Sequence, residues 1–252
     1  MPDTQVLIRF ALLVVRPGML VVAAPMFGAS YVPGPVRIGL GLLLGVILAP
    51  LVQQPLVTEP VGIFVIVASE VVIGIALGMG VRLLVGAAEL AGHLVGFQMG
   101  LSYAALVDPQ SGVRNNMLAA LYANLAMVIF LAIDGHHTLV RTLAQSYETV
   151  PIGGMHASGP FGPLVVQMLG LVFVTGVRLA APVVTVLLIV ELALGLISRA
   201  APSLNLMVVG APIRLLAGLA ALGIGIQVTS PVITGIARSA VDASLRLLHA
   251  LA

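Results

Sequence analysis

Residues 96–135 read GFQMGLSYAALVDPQSGVRNNMLAALYANLAMVIFLAIDG, and the rest of the chain is organised around this stretch. A glycine-rich apolar run enters it, a polar break at Asp108-Pro109-Gln110 interrupts it, and a second apolar run ends at Asp134-Gly135. Asp and Ser can bond backbone amides and Pro fixes a bend, so Asp108 to Gly112 is predicted to be a turn. Because long apolar runs flank that turn, we expect it to lie inside or against a membrane.

The composition places the whole chain in the same class. Its 252 residues are 60% hydrophobic and 8% charged, and the mean hydropathy is +1.18. Soluble domains carry roughly a quarter charged residues. At about 20 residues per span, the chain has room for about six or seven transmembrane helices and little else. We therefore predict a single all-α, polytopic membrane domain over residues 1–252, with prolines that bend its helices into hairpins.

The charge and the cysteine count exclude several other functions. The formal net charge of +2 is too small to indicate nucleic acid binding. There is no cysteine, which excludes disulfides, thiolate metal ligands and cysteine nucleophiles. Asp134-Gly135-His136-His137 is the one metal-like group, but it lacks the zinc-protease pattern and is more typical of a solvated helix end. No nucleotide-binding or nucleophile motif occurs, so we expect neither an enzyme nor a cofactor.

The distribution of apolar residues predicts the helices. The apolar runs and amphipathic segments cover residues 6–30, 38–57, 61–81, 83–107, 117–133, 138–149, 164–197, 205–228 and the tail from 232. Pro17-Gly18 predicts a kink or break in the first run, and Gly210-Ala211-Pro212 predicts a break in the last. Residues 164–197 are too long for one simple span and predict a kinked helix or a tight hairpin. Residues 138–149 suit a helix lying at the membrane surface.

Charged residues inside the apolar runs are the least usual feature of this sequence. An arginine near the bilayer centre costs about 2.5–3.5 kcal/mol on insertion scales, so such residues face protein or water. Arg82, Glu89 and His93 fall on one helical stripe, which could be a proton path, half a metal site or a polar seam between subunits, and we favour the seam. Glu70 is either a proton-relay carboxylate or a packed polar anchor, and the second is favoured. The intersubunit seam predicted from this stripe comprises Arg82, Glu89 and His93.

A series of motifs, taken in order, resembles the FliR family of flagellar biosynthesis proteins, whose injectisome relatives are the SctT family. The resemblance covers nearly the whole chain, and the series is more specific than any one of its parts. The motifs are Arg16-Pro17-Gly18, residues 24–28, Val32-Pro33, Val36-Arg37, residues 92–102, residues 108–112, Asp134-Gly135-His136, residues 146–151, residues 195–202 and Leu204-Asn205.

The resemblance implies a subunit of the type III export gate in the bacterial inner membrane, within the flagellar basal body. Such a subunit joins FliP-like and FliQ-like subunits in a helically staggered cone through which unfolded flagellar proteins pass, and an FlhB-like subunit is a further partner. In that assembly, the resemblance implies, the intersubunit seam also buries Arg16, Glu70, Arg178 and Glu191 against partner subunits. It further implies that residues 1–160 are FliP-like and that residues 161–252 form a FliQ-like hairpin. The alternatives are an SctT-type injectisome subunit and, more remotely, a small-solute secondary transporter, which would show related halves.

The resemblance also places a pore plug between Gly100 and Asn116. The implied plug or pore-lining residues are Met99, Gly100, Leu101, Tyr103, Leu106, Asp108 and Pro109. Two positions there are usually aromatic in the family; Tyr103 keeps one, and Leu106 replaces the other. An apolar seal is therefore expected, without a second aromatic ring.

Overall fold

The computed structural model describes residues 2–28, 32–52, 60–101, 117–155, 161–201 and 206–250. Within these ranges the regular structure is entirely helical, as predicted. The helices are α1 (Pro2–Ala23), α2 (Pro25–Gly28), α3 (Gly34–Leu48), α4 (Pro60–Gln98), α5 (Met117–Ala132), α6 (Gly135–Thr149), α7 (Phe161–Ala200) and α8 (Leu206–Ala250).

Four of the described helices are long and apolar enough to cross a membrane, or five if α5 and α6 together form one broken span. The chain is therefore an all-α polytopic membrane protein. The length of the chain left room for six or seven spans, and four or five are found among the described residues. Two runs that the sequence suggested were separate, 61–81 and 83–107, are joined in α4, whose apolar part is 37 residues long, and α7 has an apolar part of 39 residues.

The break predicted at Pro212 is absent, and of the kink or break predicted at Pro17 the break is absent. Pro17 lies inside α1, Pro212 lies inside α8, and Pro182 lies inside α7, which is one helix rather than a hairpin. A proline withholds the N–H that the carbonyl four residues earlier would accept. For Pro17 that carbonyl is Leu13, and the hydroxyl of Tyr147 donates to it at 2.9 Å. A neighbouring side chain thus supplies the missing hydrogen bond, as it can in membrane helices.

The chain folds into two compact units that interleave along the sequence. Unit 1 comprises residues 1–83, 134–169 and 237–252, and unit 2 comprises residues 84–133 and 170–236. The predicted division near residue 160 follows different boundaries, and it stays a prediction.

Unit 1 is built where α1 crosses the first half of α4. A Cβ placed on Gly74 would lie 2.6 Å from the backbone oxygen of Arg16, and one on Gly78 would lie 2.6 Å from the Cβ of Ala23. Gly74 and Gly78 are four residues apart on one face of α4, and this face lets α1 approach closely.

Helix α6 closes the core of unit 1. Its apolar side, formed by Leu139, Leu143 and Tyr147, is buried, and the last two belong to the core cluster. A helix lying at the membrane surface would turn its apolar side toward lipid. The apolar side of α6 instead packs on protein, so the surface position expected for this segment does not account for the burial.

Unit 2 contains the second half of α4, α5 and most of α7 and α8. Gly92 of α4 lies directly against Leu118 and Ala119 of α5, and Gly176 of α7 lies against Leu90 of α4. Along the hairpin, Gly210 is nearest to Leu194 and Gly225 is nearest to Val183, so α7 and α8 pair in antiparallel fashion. At Gly92 and Gly176 the absence of a Cβ lets the helices approach more closely than a side chain would allow.

Candidate functional site

The guanidinium of Arg16 is fully buried in unit 1, where α1, α4 and α6 meet. Its Nε donates to Oε2 of Glu70 at 2.7 Å, and Nη2 donates to Oε1 at 3.0 Å. Its Nη1 donates to Oγ of Ser146 at 2.9 Å, and Nη2 also donates to the carbonyl of Val150 at 3.0 Å. The side chains of Arg16 and Glu70 are both 0% exposed. This fork-to-fork pair satisfies both carboxylate oxygens.

Tyr147 completes this Arg16 network from α6. The Cζ of Arg16 lies 4.1 Å from the centroid of the Tyr147 ring, a cation–π contact. The same residue donates its hydroxyl to Leu13, so its ring and its hydroxyl serve two different parts of α1. Nothing in the local spacing groups Ser146, Tyr147 and Val150 with Arg16, since 130 positions separate Ser146 from Arg16.

The network changes the role expected for Arg16 and Glu70. Both were placed at a seam between subunits because a charge in an apolar run has to face protein or water and not lipid. The structure instead supplies a partner inside the chain, where each residue pairs with the other. Neither side chain is accessible to a neighbouring subunit. Glu70 is thus the packed polar anchor that the sequence analysis favoured over a proton relay.

The second polar group is in unit 2, at the end of α4. Nε2 of Gln98 donates to Oε2 of Glu191 on α7 at 2.8 Å, and Oε1 of Glu191 lies 4.0 Å from Nη2 of Arg214 on α8. The side chains of Glu191 and Arg214 are 49% and 29% exposed. We call these three residues the Gln98–Glu191–Arg214 cluster.

The two residues after Gln98 define how α4 ends. Met99 is buried, and a Cβ on Gly218 of α8 would lie 2.7 Å from its Cγ, Sδ and Cε atoms. Gly100 follows with φ of 81°, the left-handed conformation that glycine adopts without strain. The end of α4 is therefore bonded to α7 through Gln98 and packed on α8 through Met99.

Comparison with known proteins identifies the family. The profile of "Bacterial export proteins, family 1" matches residues 7–240. The flagellar biosynthetic protein FliR of Pectobacterium carotovorum subsp. carotovorum is 36% identical over 216 residues, covering 84% of this chain and 82% of that protein. FliR of Escherichia coli K12 is 34% identical over 215 residues, covering 84% and 82%. FliR of Bacillus subtilis 168 is 29% identical over 210 residues, covering 82% and 81%. The chain belongs to the FliR family.

The family membership confirms the resemblance that the motifs suggested. The FliR family belongs to the bacterial export proteins, and the relatives above carry a flagellar name. This chain is therefore a flagellar export protein of the membrane. The finer roles expected of it are taken up below as proposals.

The remaining seam residues of this FliR-family chain lie at its surface. Five of them are exposed: Arg82, Glu89, His93, Arg178 and Glu191. Of these, the structure brings Glu191 into a polar contact with residues of its own chain. Their burial against partner subunits stays a prediction.

The expected plug lies mostly outside the described residues. Met99 is buried and Leu101 is 44% exposed, and Gly100 lies between them at the end of α4. Tyr103, Leu106, Asp108 and Pro109 fall in the range 102–116, which the structure does not describe. The plug assignment in this FliR-family chain is therefore a proposal.

The group that could hold a metal ion lies at the start of α6. Candidate ligand atoms of Asp134, His136 and His137 lie within 4.8 Å of one another. The side chains of Asp134 and His137 are 73% and 70% exposed, and Nδ1 of His137 lies 3.1 Å from Oδ1 of Asp134. Asp134 has φ of 58°, a conformation that Asp tolerates better than most residues. The exposure is that of the solvated helix end that the sequence predicted.

Proposed function

We propose that this chain is a subunit of the flagellar export gate in the bacterial inner membrane, where it forms and seals part of the conduit for unfolded flagellar proteins. One observation carries the proposal beyond the family name. The apolar parts of α4 and α7 are 37 and 39 residues long. At 1.5 Å per residue each is about 55 Å or more in length, against about 30 Å for the hydrocarbon core of a bilayer.

Helices of that length cannot be covered by lipid alone. Tilting accommodates part of the excess, and the rest has to be covered by other protein. Exposed charges within the same helices support this argument. Arg178 lies well inside α7, Glu89 lies nine residues before the end of α4, and both are exposed in the single chain. Charged residues within a membrane face protein or water. An assembly around a water-filled conduit offers both environments.

The proposed partners follow from the family assignment. They are FliP-like and FliQ-like export subunits, and an FlhB-like subunit, with residues 1–160 as the FliP-like part and residues 161–252 as the FliQ-like part. The antiparallel pairing of α7 and α8 supports a hairpin in the second part. The charges that are exposed in the single chain would then meet neighbouring subunits, and the chain would take no cofactor.

Co-purification tests the assembly. The detergent-extracted complex should contain two smaller apolar proteins besides this chain, and native mass measurement should give a defined stoichiometry. A chain that is folded and active alone in liposomes, taking up a small solute, would favour the secondary transporter instead.

Deletion of residues 100–112 tests the seal. We expect assembly to be retained and the inner membrane to become permeable to ions, because the segment proposed to plug the conduit is gone. The amount of assembled complex should be measured beside the ion conductance, and a strain without this chain gives the background. Unchanged permeability with normal complex yield would contradict the sealing role.

A further inference from the structure

We propose that Glu191 is a positioning residue, which holds the C-terminal end of α4 on the α7–α8 hairpin by accepting the Gln98 hydrogen bond while Arg214 balances its charge. This inference rests on the proposed export function, because it assigns the cluster a role in keeping the conduit closed. Gln98 and Arg214 act through Glu191.

The two carboxylate oxygens of Glu191 face two different helices, α4 and α8. Oε2 accepts from Gln98 Nε2 at 2.8 Å, and Oε1 faces Arg214 at 4.0 Å. A hydrogen bond from an amide to an ionised carboxylate is stronger than one between neutral groups. One side chain of α7 thus links the end of α4 to α8.

The location of the Gln98–Glu191–Arg214 cluster indicates that its contacts are not incidental surface contacts. Glu191 and Arg214 lie within helices α7 and α8, which are apolar over most of their length, and Glu191 is half exposed. An exposed carboxylate in such a helix faces protein or water, because lipid would disfavour it. The cluster as a whole is neutral, which lowers the cost of placing it there. Nε of Arg214 is buried and has no hydrogen-bond partner among the described residues.

Met99 fixes the orientation of the end of α4 on the α7–α8 hairpin. Its side chain occupies the space that the missing Cβ of Gly218 leaves on α8, directly after the Gln98 contact with α7. Two successive residues therefore contact two different helices of the hairpin. One contact alone would let the last turn of α4 rotate, whereas two contacts on different helices fix it.

A donor–acceptor swap in the assembled complex separates this role from a general packing role. Gln98→Glu puts two carboxylates together and should release the end of α4. The double variant Gln98→Glu/Glu191→Gln restores the bond with donor and acceptor exchanged. Loss of a hydrogen bond to a charged group should raise the released fraction about 10- to 100-fold. Ion conductance and complex yield are the measurements, and Gln145→Glu, at an exposed position of α6, is the matched control.

Two results together support the proposal: conductance that rises in Gln98→Glu, and conductance that returns to the wild-type level in the double variant, with Gln145→Glu unchanged. Wild-type conductance in Gln98→Glu overturns the proposal, and so does a raised conductance that the double variant does not reduce. If Gln98→Glu does not assemble, Gln98→Met removes the donor without adding charge. A leak in Gln98→Met then supports the proposal, and a tight seal overturns it.

The variant that lacks residues 100–112 distinguishes failure of the sealing function from failure of the positioning role of Glu191. A deletion variant that stays tight contradicts the sealing function itself. If the deletion variant conducts ions while the Gln98→Glu and Gln98→Met variants stay tight, only the positioning role of Glu191 is contradicted.

Discussion

The hydroxyl of Tyr147 donates to the backbone carbonyl of Leu13 at 2.9 Å, and Leu13 is the residue whose helical hydrogen bond Pro17 cannot make. These two residues lie 134 positions apart. A buried carbonyl without a donor is costly, so a membrane helix with an internal proline depends on a neighbour to supply one. In this chain α6 supplies it to α1, which explains why α1 passes through Pro17 unbroken.

The Tyr147–Leu13 bond can be tested by restoring the missing N–H. Tyr147→Phe keeps the ring over Arg16 and leaves the Leu13 carbonyl buried without a donor, so we expect a loss of about 1–3 kcal/mol in stability. Pro17→Ala returns an N–H to the helix and should remove most of that loss in the double variant. Thermal unfolding of the purified protein in detergent measures all three variants. Additive losses in the double variant would contradict the pairing.

Breaking the ion pair between Arg16 and Glu70 should be more damaging than removing it entirely. Arg16→Leu or Glu70→Leu leaves one buried charge without its partner and should cost about 3–5 kcal/mol. The double variant Arg16→Leu/Glu70→Leu should be less destabilised than the sum, since an apolar pair can replace a buried ion pair at little cost. Complex yield and thermal stability are the measurements.

Arg141→Leu, on the exposed side of α6, is the matched control for the Arg16 variants. It should leave complex yield near the wild-type level, because an exposed arginine is solvated with or without a partner. Wild-type yield for both single variants of the pair would show that the network is dispensable.

The close approach of α1 and α4 should not tolerate a methyl group. Gly74→Ala and Gly78→Ala each place a Cβ 2.6 Å from an atom of α1. Such overpacking typically costs about 1–3 kcal/mol. Gly86→Ala is the control on the same helix, because nothing lies within 4 Å of its added Cβ. It should be neutral or stabilising by up to about 1 kcal/mol through helix propensity. Equal stability of all three variants would contradict the contact.

Gly218 should be required for the position of Met99. Gly218→Ala puts a Cβ 2.7 Å from three atoms of the Met99 side chain, which has to leave its place. We expect raised ion conductance in the assembled complex, because the end of α4 loses one of its two contacts. Gly223→Ala on the same helix has nothing within 4 Å of the added Cβ and serves as the control. A tight seal in Gly218→Ala would mean that the Met99 contact is not needed.

The fold could be predicted in outline but not in its helix ends. Apolar runs predicted the all-α membrane class. The breaks expected at Pro17 and Pro212 are absent, because a sequence pattern shows the missing N–H of a proline but not the neighbour that replaces it. The charges were recognised as unusual, yet Arg16 and Glu70 were assigned to outside partners because nothing in local spacing joins α1 to α4.

The sequence by itself determined the membrane class, the family and the identity of the residues that need polar partners, since these depend on composition and on motifs that are local in the chain. Only the tertiary structure decided which partners they find: Glu70, Ser146 and Val150 for Arg16, Glu191 for Gln98, and Tyr147 for Leu13. The physical reason is that a buried charge or carbonyl requires a partner of a given chemistry at hydrogen-bond distance. That requirement fixes what the partner is, and the packing of distant helices fixes where it comes from.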